Sequence, residues 1–302
     1  MSKVWDDESS VGTRQPELEQ VTVREFCRRI LESGDLEAKL APAIGPSGEI
    51  LPDEPAGPPL CFDRPARDPE LEMHAGAESL PRPGELVSPE ARARCLARFA
   101  NHELMAVEFF AWALLRWPDL PTELRRGFFS VLAEEQLHCR LYLGRLRALG
   151  SALSDHQLSD YFWKHAPAIA ASPHGPRAFL CAMGLTFEQA NLDFTLTYRD
   201  GFRNAGDEAS AEICQRIHDD EVGHVRMAAH WLRALSPEGL DEIQAYQEAV
   251  PYPLAAARAK GRRFDEAARR RAGLSGEFIA FVRGARSSQE RCPGQGSRRN
   301  DG

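Results

Sequence analysis

The chain has 302 residues, 43% of them hydrophobic, enough to bury one large core or two modest ones. A net charge of −8, with thirty-three Arg but only four Lys, does not mark the whole molecule as a nucleic-acid binder. Seven scattered cysteines, odd in number and without a C-x-x-C pair, argue against a disulfide framework or a zinc knuckle and fit reduced thiols in the cytoplasm.

The N-terminal Met1-Ser2-Lys3-Val4-Trp5-Asp6-Asp7-Glu8 has no apolar stretch of signal-peptide kind, and no segment approaches ~18 consecutive uncharged apolar residues. A cytoplasmic location without a membrane span is therefore expected. Residues 22 to 33 predict a short amphipathic helix, opened by a capping box at Thr22 and Glu25 and stopped at Gly34. Its face of Val23, Phe26, Cys27, Ile30 and Leu31 needs a partner. Between Pro42 and Pro89 lie 11 of the 21 prolines, so that stretch should be extended; Leu51, Leu60 and Phe62 hint that it wraps a core.

Four long helical segments follow. The first runs from Ser88-Pro89 to Trp117 and the second from Pro121-Thr122 to Gly150, joined by a turn short enough to force them antiparallel. A linker from Ser151 to Pro176, containing Tyr161-Phe162-Trp163, leads to the third, about 177 to 204, and after Gly206 the fourth runs from Asp207 to Leu235. The segment boundaries divide the chain into 1–87, a short helix and Pro-rich arm; 88–236, the four-helix unit; 237–285, an extension of one or two short helices; and 286–302, a disordered tail. From Arg258 onward 12 basic residues face 5 acidic ones, a basic region that could meet an acidic partner or stay solvated.

The second and fourth segments carry one signature twice. Glu134-Glu135-x-x-His138-x-Arg140-Leu141 followed by Leu146-Arg147-Ala148-Leu149 aligns without gaps on Asp220-Glu221-x-x-His224-x-Arg226-Met227 followed by Leu232-Arg233-Ala234-Leu235. Upstream, Glu103 lies 32 residues before Glu135 and Glu188 lies 33 before Glu221. The four-helix unit reads as an internal duplication. A Glu and a His three apart share a helix face and can bind one metal cluster, although a single Glu-x-x-His is common on solvated faces.

Hairpin geometry selects the remaining ligands. Residues equidistant from a turn lie level, and Glu103 is about 16 residues before the turn near Asp119, with the Glu135/His138 pair about 17 after it. Glu108, about 11 residues from the turn, would sit roughly 8 to 10 Å too close to it. The same count about Ala205-Gly206 levels Glu188 with Glu221 and His224. The resulting metal ligands are Glu103, Glu135, His138, Glu188, Glu221 and His224. Four carboxylates and two imidazoles suit two iron ions, or manganese with iron, better than structural zinc.

Around that set the repeat suggests supporting roles. Glu134 and Asp220 could accept the free ring N–H of a ligand His, most readily from the opposite motif. Arg140 and Arg226 could neutralise these acids or form surface ion pairs. Glu108 and Asp193, each five residues past a ligand, are supporting, substrate-facing or surface acids. Tyr142 shares the inward face of Glu135 and His138, as a core residue or a redox-active one. His102 and His218 are weaker ligand candidates, and His156, His165 and His174 fall in the linker without metal.

Two hairpins joined by a longer crossover form the all-α, ferritin-like four-helix bundle topology. At the residues above the chain resembles the ferritin-like superfamily of carboxylate-bridged dimetal proteins, and more closely its branch called domain of unknown function 455. That likeness covers most of residues 20 to 285. It rests on the Ser33 to Leu40 stretch (Ser-Gly-Asp-Leu-Glu-Ala-Lys-Leu), Asn101-His102-Glu103-Leu104-x-Ala106-x-Glu108, Gly184-x-x-Phe187-Glu188-x-x-Asn191-Leu192-Asp193, and the two Glu-x-x-His helices. The resemblance implies a dinuclear site on the same six residues and no particular substrate. The wider superfamily, which includes a tRNA-modifying hydroxylase, reductase small subunits with a radical tyrosine at the spacing of Tyr142, rubrerythrins and ferritins, offers two activities. One is a non-haem di-iron oxidase or oxygenase using O2, an external reductant and a small-molecule or RNA substrate. The other is iron handling or peroxide protection, and a metal-stabilised interaction protein stands as a third reading. The Pro-rich arm, aromatic crossover and basic C-terminal region are unlike a cage-forming subunit.

Overall fold

A computed structural model describes residues 21–45, 48–54, 56–76 and 79–286, and the structural statements below concern those residues. The fold is all-α apart from one two-residue ladder. Helix α1, Val23–Glu32, starts from the expected capping box, with the Thr22 side chain accepting from the Glu25 backbone and the Glu25 carboxylate accepting from Thr22. Its apolar face packs on the first long helix. A single turn, α2 at Leu36–Lys39, is capped by Asp35.

The Pro-rich arm wraps. The Leu60 N–H donates to the Leu115 carbonyl, and the Phe62 carbonyl accepts from Trp112 Nε1 at 3.0 Å. Leu51, Leu71 and Leu86 are buried in the core. Strand β1, Met73–His74, pairs in parallel with β2, Leu158–Ser159, of the crossover, so arm and crossover are tied together.

Helices α3, Pro89–Arg116, and α4, Thr122–Ala148, form the first hairpin. The crossover contains β2 and the short helix α5, Ala166–Ala171. The third long segment is not a plain α-helix. It begins as α6, Pro176–Ala182, widens into a π-helical turn at Met183–Glu188, and continues as α7, Gln189–Asn204, before α8, Glu208–Leu235, completes the second hairpin. A Cβ on Gly184, in the π turn, would lie 2.1 Å from the Ala228 Cβ, so glycine lets this segment close on α8. The hairpins meet through α4 and α8.

Two apolar clusters fill the interior. One, holding Leu115 and Leu124, lies at the first hairpin's turn; the other, holding Phe202 and Ala211, lies at the second's, so the turns point to opposite ends. The seam between the clusters crosses α4 between Leu132 and Cys139 and α8 between Ile217 and Val222, which brackets Glu135, His138 and Glu221. Polar side chains thus gather where two cores abut.

Past α8 come three short helices rather than one or two: α9, Glu242–Ala249, α10, Glu266–Arg271, and α11, Gly276–Gly284. Gly273, with φ +76°, makes the break between α10 and α11 that residues 258 to 284 do not announce by periodicity. Their arginines are mostly committed within the chain: Arg263 to Asp200, Arg269 to Asp193, Arg270 and Arg283 to Glu266. The expected disorder of 286–302 falls, after Arg286, outside the described residues. Among them, no helix is long and apolar enough to cross a membrane.

Candidate metal centre

Glu103 comes from α3, Glu135 and His138 from α4, Glu188 from the π turn, and Glu221 and His224 from α8. The structure brings all six together, each buried. They fall into two groups that could each hold a metal ion: Glu135, Glu188, Glu221 and His224, and Glu103, Glu135 and His138. Within a group one candidate ligand atom per residue lies within 4.8 Å of every other. Glu135 belongs to both groups, as a carboxylate placed between two cations does.

The hydrogen-bonding pattern tests whether the residues fit such ions. Buried atoms without a hydrogen-bond partner among the described residues include Glu135 Oε2, both Glu188 oxygens, Glu221 Oε2, and Nδ1 of His138 and of His224. Buried polar atoms are ordinarily satisfied, so this concentration of unpaired donor atoms at one point fits metal ligation. Both imidazole Nδ1 atoms face carboxylates, His138 at 3.4 Å from Glu135 and His224 at 3.1 Å from Glu135 and 3.4 Å from Glu221.

Electrostatics agree with that reading. Burial, reinforced by the neighbouring carboxylates, pushes Glu103 and Glu188 well above the usual carboxylate range. Burial also disfavours charge on His138, but the Asp220 and Glu135 carboxylates beside it outweigh that and lift the imidazole to about 9. Divalent cations among these groups would reverse the carboxylate shifts.

The two histidines are held crosswise. His138 Nε2 lies 3.1 Å from Asp220 of the fourth long segment, and His224 Nε2 lies 2.9 Å from Glu134 of the second. Each acid before a ligand Glu therefore receives the ring N–H of the opposite motif's His, turning Nδ1 inward. Asn191 Nδ2 donates to Glu221 Oε1 at 2.8 Å and fixes that carboxylate too. Asp220→Asn and Glu134→Gln should each weaken metal binding by about 10- to 100-fold, read by competition with a chromophoric chelator. Unchanged affinity would remove these acids from the site.

Residues 19–280 match the family model described as Protein of unknown function (DUF455). The chain belongs to this family. A relative in Haemophilus influenzae, described as an uncharacterized protein, is 26% identical over 259 residues, covering 82% of this chain and 83% of its own. No solved structure matches the chain.

In this DUF455 member the other sequence candidates find different places. Glu108 and Asp193 are neither substrate-facing nor on the surface. Glu108 accepts from Arg67 at 3.0 and 2.9 Å, from Trp163 Nε1 at 3.0 Å and from Lys39 at 3.0 Å, all buried. Asp193 accepts from Arg269 at 2.8 and 2.9 Å and from the backbone of Gly261 and Asp265 at 2.8 and 2.7 Å. One acid thus anchors the N-terminal arm and crossover, its repeat mate the C-terminal extension. Arg140 and Arg226 do not neutralise Asp220 or Glu134; they donate to the carbonyls of Leu40 and Arg271, because those segments pack against α4 and α8 there.

Tyr142 is a core residue, its hydroxyl 3.9 Å from Cys214 Sγ and its ring against Phe99. His218 engages Asp219 and Asp265, and His156 engages Ser151. His102, His165 and His174 join neither metal group.

A pocket lies over the centre, lined in part by the aromatic crossover and the basic C-terminal region that the sequence offers for substrate recognition. It has a volume of about 170 Å³, and Glu103, Glu135, Glu188 and Glu221 form its floor. Phe99, Tyr161, Phe162, Phe187 and Phe194 wall it, with His102 and Arg258 as further lining. Of the run Tyr161-Phe162-Trp163, the first two face this pocket and Trp163 turns to Glu108.

Proposed function

We propose that this protein is a non-haem di-iron oxidase or oxygenase on a ferritin-like four-helix bundle, acting on a small organic substrate. The observation that carries the reading is the pair of buried Glu/His groups sharing Glu135, with unpaired ligand atoms facing an aromatic pocket. Glu103, Glu135 and His138 would hold one ion, and Glu188, Glu221 and His224 with Glu135 the other. Iron there would supply electrons to O2, whose reduction would drive the oxidation of a bound organic group, with an external reductant restoring the ferrous state.

The chain's own residues do the rest. Asp220 and Glu134 hold the imidazoles in one orientation, and Asn191 holds Glu221. Phe99, Phe162 and Phe187 keep bulk water from the reacting end of the pocket. The division into arm (1–87), metal-binding unit (88–236) and extension (237–285) gives the outer parts the task of clamping the site through Glu108 and Asp193. An aromatic pocket on the floor of ligands supports an organic substrate over iron storage or peroxide removal, and the intramolecular pairing of Arg263, Arg269, Arg270, Arg271 and Arg283 supports a small molecule over RNA.

The test is anaerobic loading with ferrous iron followed by admission of O2. A transient visible absorption band and a Mössbauer spectrum of antiferromagnetically coupled iron are expected. No spectral change on mixing, or uptake of many irons per chain, would overturn the proposal.

A further inference from the structure

We infer that the substrate class is a small aromatic anion, its ring held among Phe99, Phe162, Phe187 and Phe194 and its carboxylate or phosphate held by Arg258. This rests on the reading of the floor as a dimetal centre. The pocket is graded from bottom to top. Its floor carboxylates are buried, whereas Phe194 is 40% exposed and Arg258 is exposed, so both stand at the mouth.

The walls suit a flat apolar body. Phe162 and Phe187 stack at 4.7 Å and 16°, and the His102 ring lies 5.6 Å from Phe162. His102, whose Nε2 has no hydrogen-bond partner among the described residues, adds another flat ring to the lining. A volume of about 170 Å³ is of the size that takes one benzene ring, since an apolar cavity of ~150 Å³ does so.

Charge sets the orientation. Within the same C-terminal segment Arg263, Arg269, Arg270, Arg271 and Arg283 each pair with a carboxylate. Arg258, Arg262 and Arg286 pair with none among the described residues, and of the three Arg258 is the one that lines the pocket. A planar guanidinium beside an apolar cavity is a ready partner for a carboxylate or phosphate. The charged side chains of the floor are all carboxylates, so the cationic partner that the chain itself offers an anion stands at the mouth. Ring inward and anion outward is the arrangement that satisfies both ends.

The experiment is calorimetric titration of the full chain loaded with zinc, a redox-inert occupant, using phenylacetate, phenyl phosphate, uncharged phenylacetamide and acetate as probes. At least one phenyl anion should bind more tightly than the amide, and acetate should give no measurable binding. Arg258→Gln should weaken that anion by about 5-fold, the scale of an exposed ion pair, and leave the amide unchanged. Phe194→Ala should weaken the anions and the amide alike. The ratio of phenylacetate to phenyl phosphate tells which anionic group is preferred. Equal binding of anions and amide to the wild type, or an Arg258→Gln effect shared by the amide, would overturn the inference. Because zinc carries no oxygen chemistry, these results are read separately from the ferrous test, so failure of the substrate assignment and failure of the oxygen reading are distinguishable.

Discussion

Glu135→Ala is expected to leave the purified chain almost free of metal, whereas Glu103→Ala should still retain about one ion where the wild type holds about two. The difference follows from the sharing of Glu135: it belongs to both groups of candidate ligands, while Glu103 belongs to one. Glu188→Ala should likewise spare the position made by Glu103, Glu135 and His138. Elemental analysis after ferrous loading and desalting reads the stoichiometry directly. The same samples should differ in thermal stability, because a ligand bound only by the folded state raises its melting temperature. Saturating metal should raise the midpoint of the wild type and leave that of Glu135→Ala where it was. Equal metal content in the Glu103 and Glu135 variants would dismiss the shared role.

The second large effect concerns stability and not metal. Glu108→Ala should destabilise the fold by about 3 to 5 kcal/mol, the cost of removing one partner from a buried ion cluster. Arg67 and Lys39 would be left as buried cations facing no carboxylate. Burial works against the charge on Glu108, but Arg67 and Lys39 outweigh it and hold the carboxyl below its usual range. Lys39 itself is pushed down by burial, against the pull of Glu108, so the permanently charged Arg67 is the firmer partner.

The sign of the pH effect follows from that depression. Below the unfolded value of ~4.3 the unfolded chain binds the proton first, so the Glu108 contribution is full above that pH and fades as pH falls through the lower folded value. Urea unfolding should show the gap between wild type and Glu108→Ala constant from pH 7 to about 5 and narrowing below about 4. Adding Lys39→Met to Glu108→Ala should recover part of the loss. A gap that stays constant down to about pH 3 would show that the carboxylate charge is not what stabilises the cluster.

Much of the centre was legible because its signals are local or repeated. Glu135 with His138 and Glu221 with His224 are read from helical spacing, Glu103 and Glu188 from distance to a turn, and the crosswise roles of Glu134 and Asp220 from the alignment of the two motifs. Caps at Thr22 and Ser88 likewise act over three residues. What was not legible depends on contacts far apart in the chain. Arg67 reaches Glu108 across 41 positions, and Arg269 reaches Asp193 across 76. Nothing in the spacing of Glu108 or Asp193 tells which segment will bring the guanidinium. The π turn at Met183–Glu188 was hidden for another reason: one extra residue over so short a stretch does not disturb the periodicity of a run as apolar as Ala178 to Leu185. Gly184 marks the place only once its distance to Ala228 is known.

The crosswise histidine pairs have the symmetry of a twofold axis. Exchanging the hairpins turns His138–Asp220 into the counterpart of His224–Glu134. Two copies of one hairpin, meeting face to face, would make both contacts with a single set of residues, as an isologous dimer does. In the fused chain neither half carries a complete site, since each imidazole takes its orientation from the other half. The duplicated segments have kept that mutual dependence at the centre while diverging at the edge, where one acid now grips the arm and its twin the C-terminal extension.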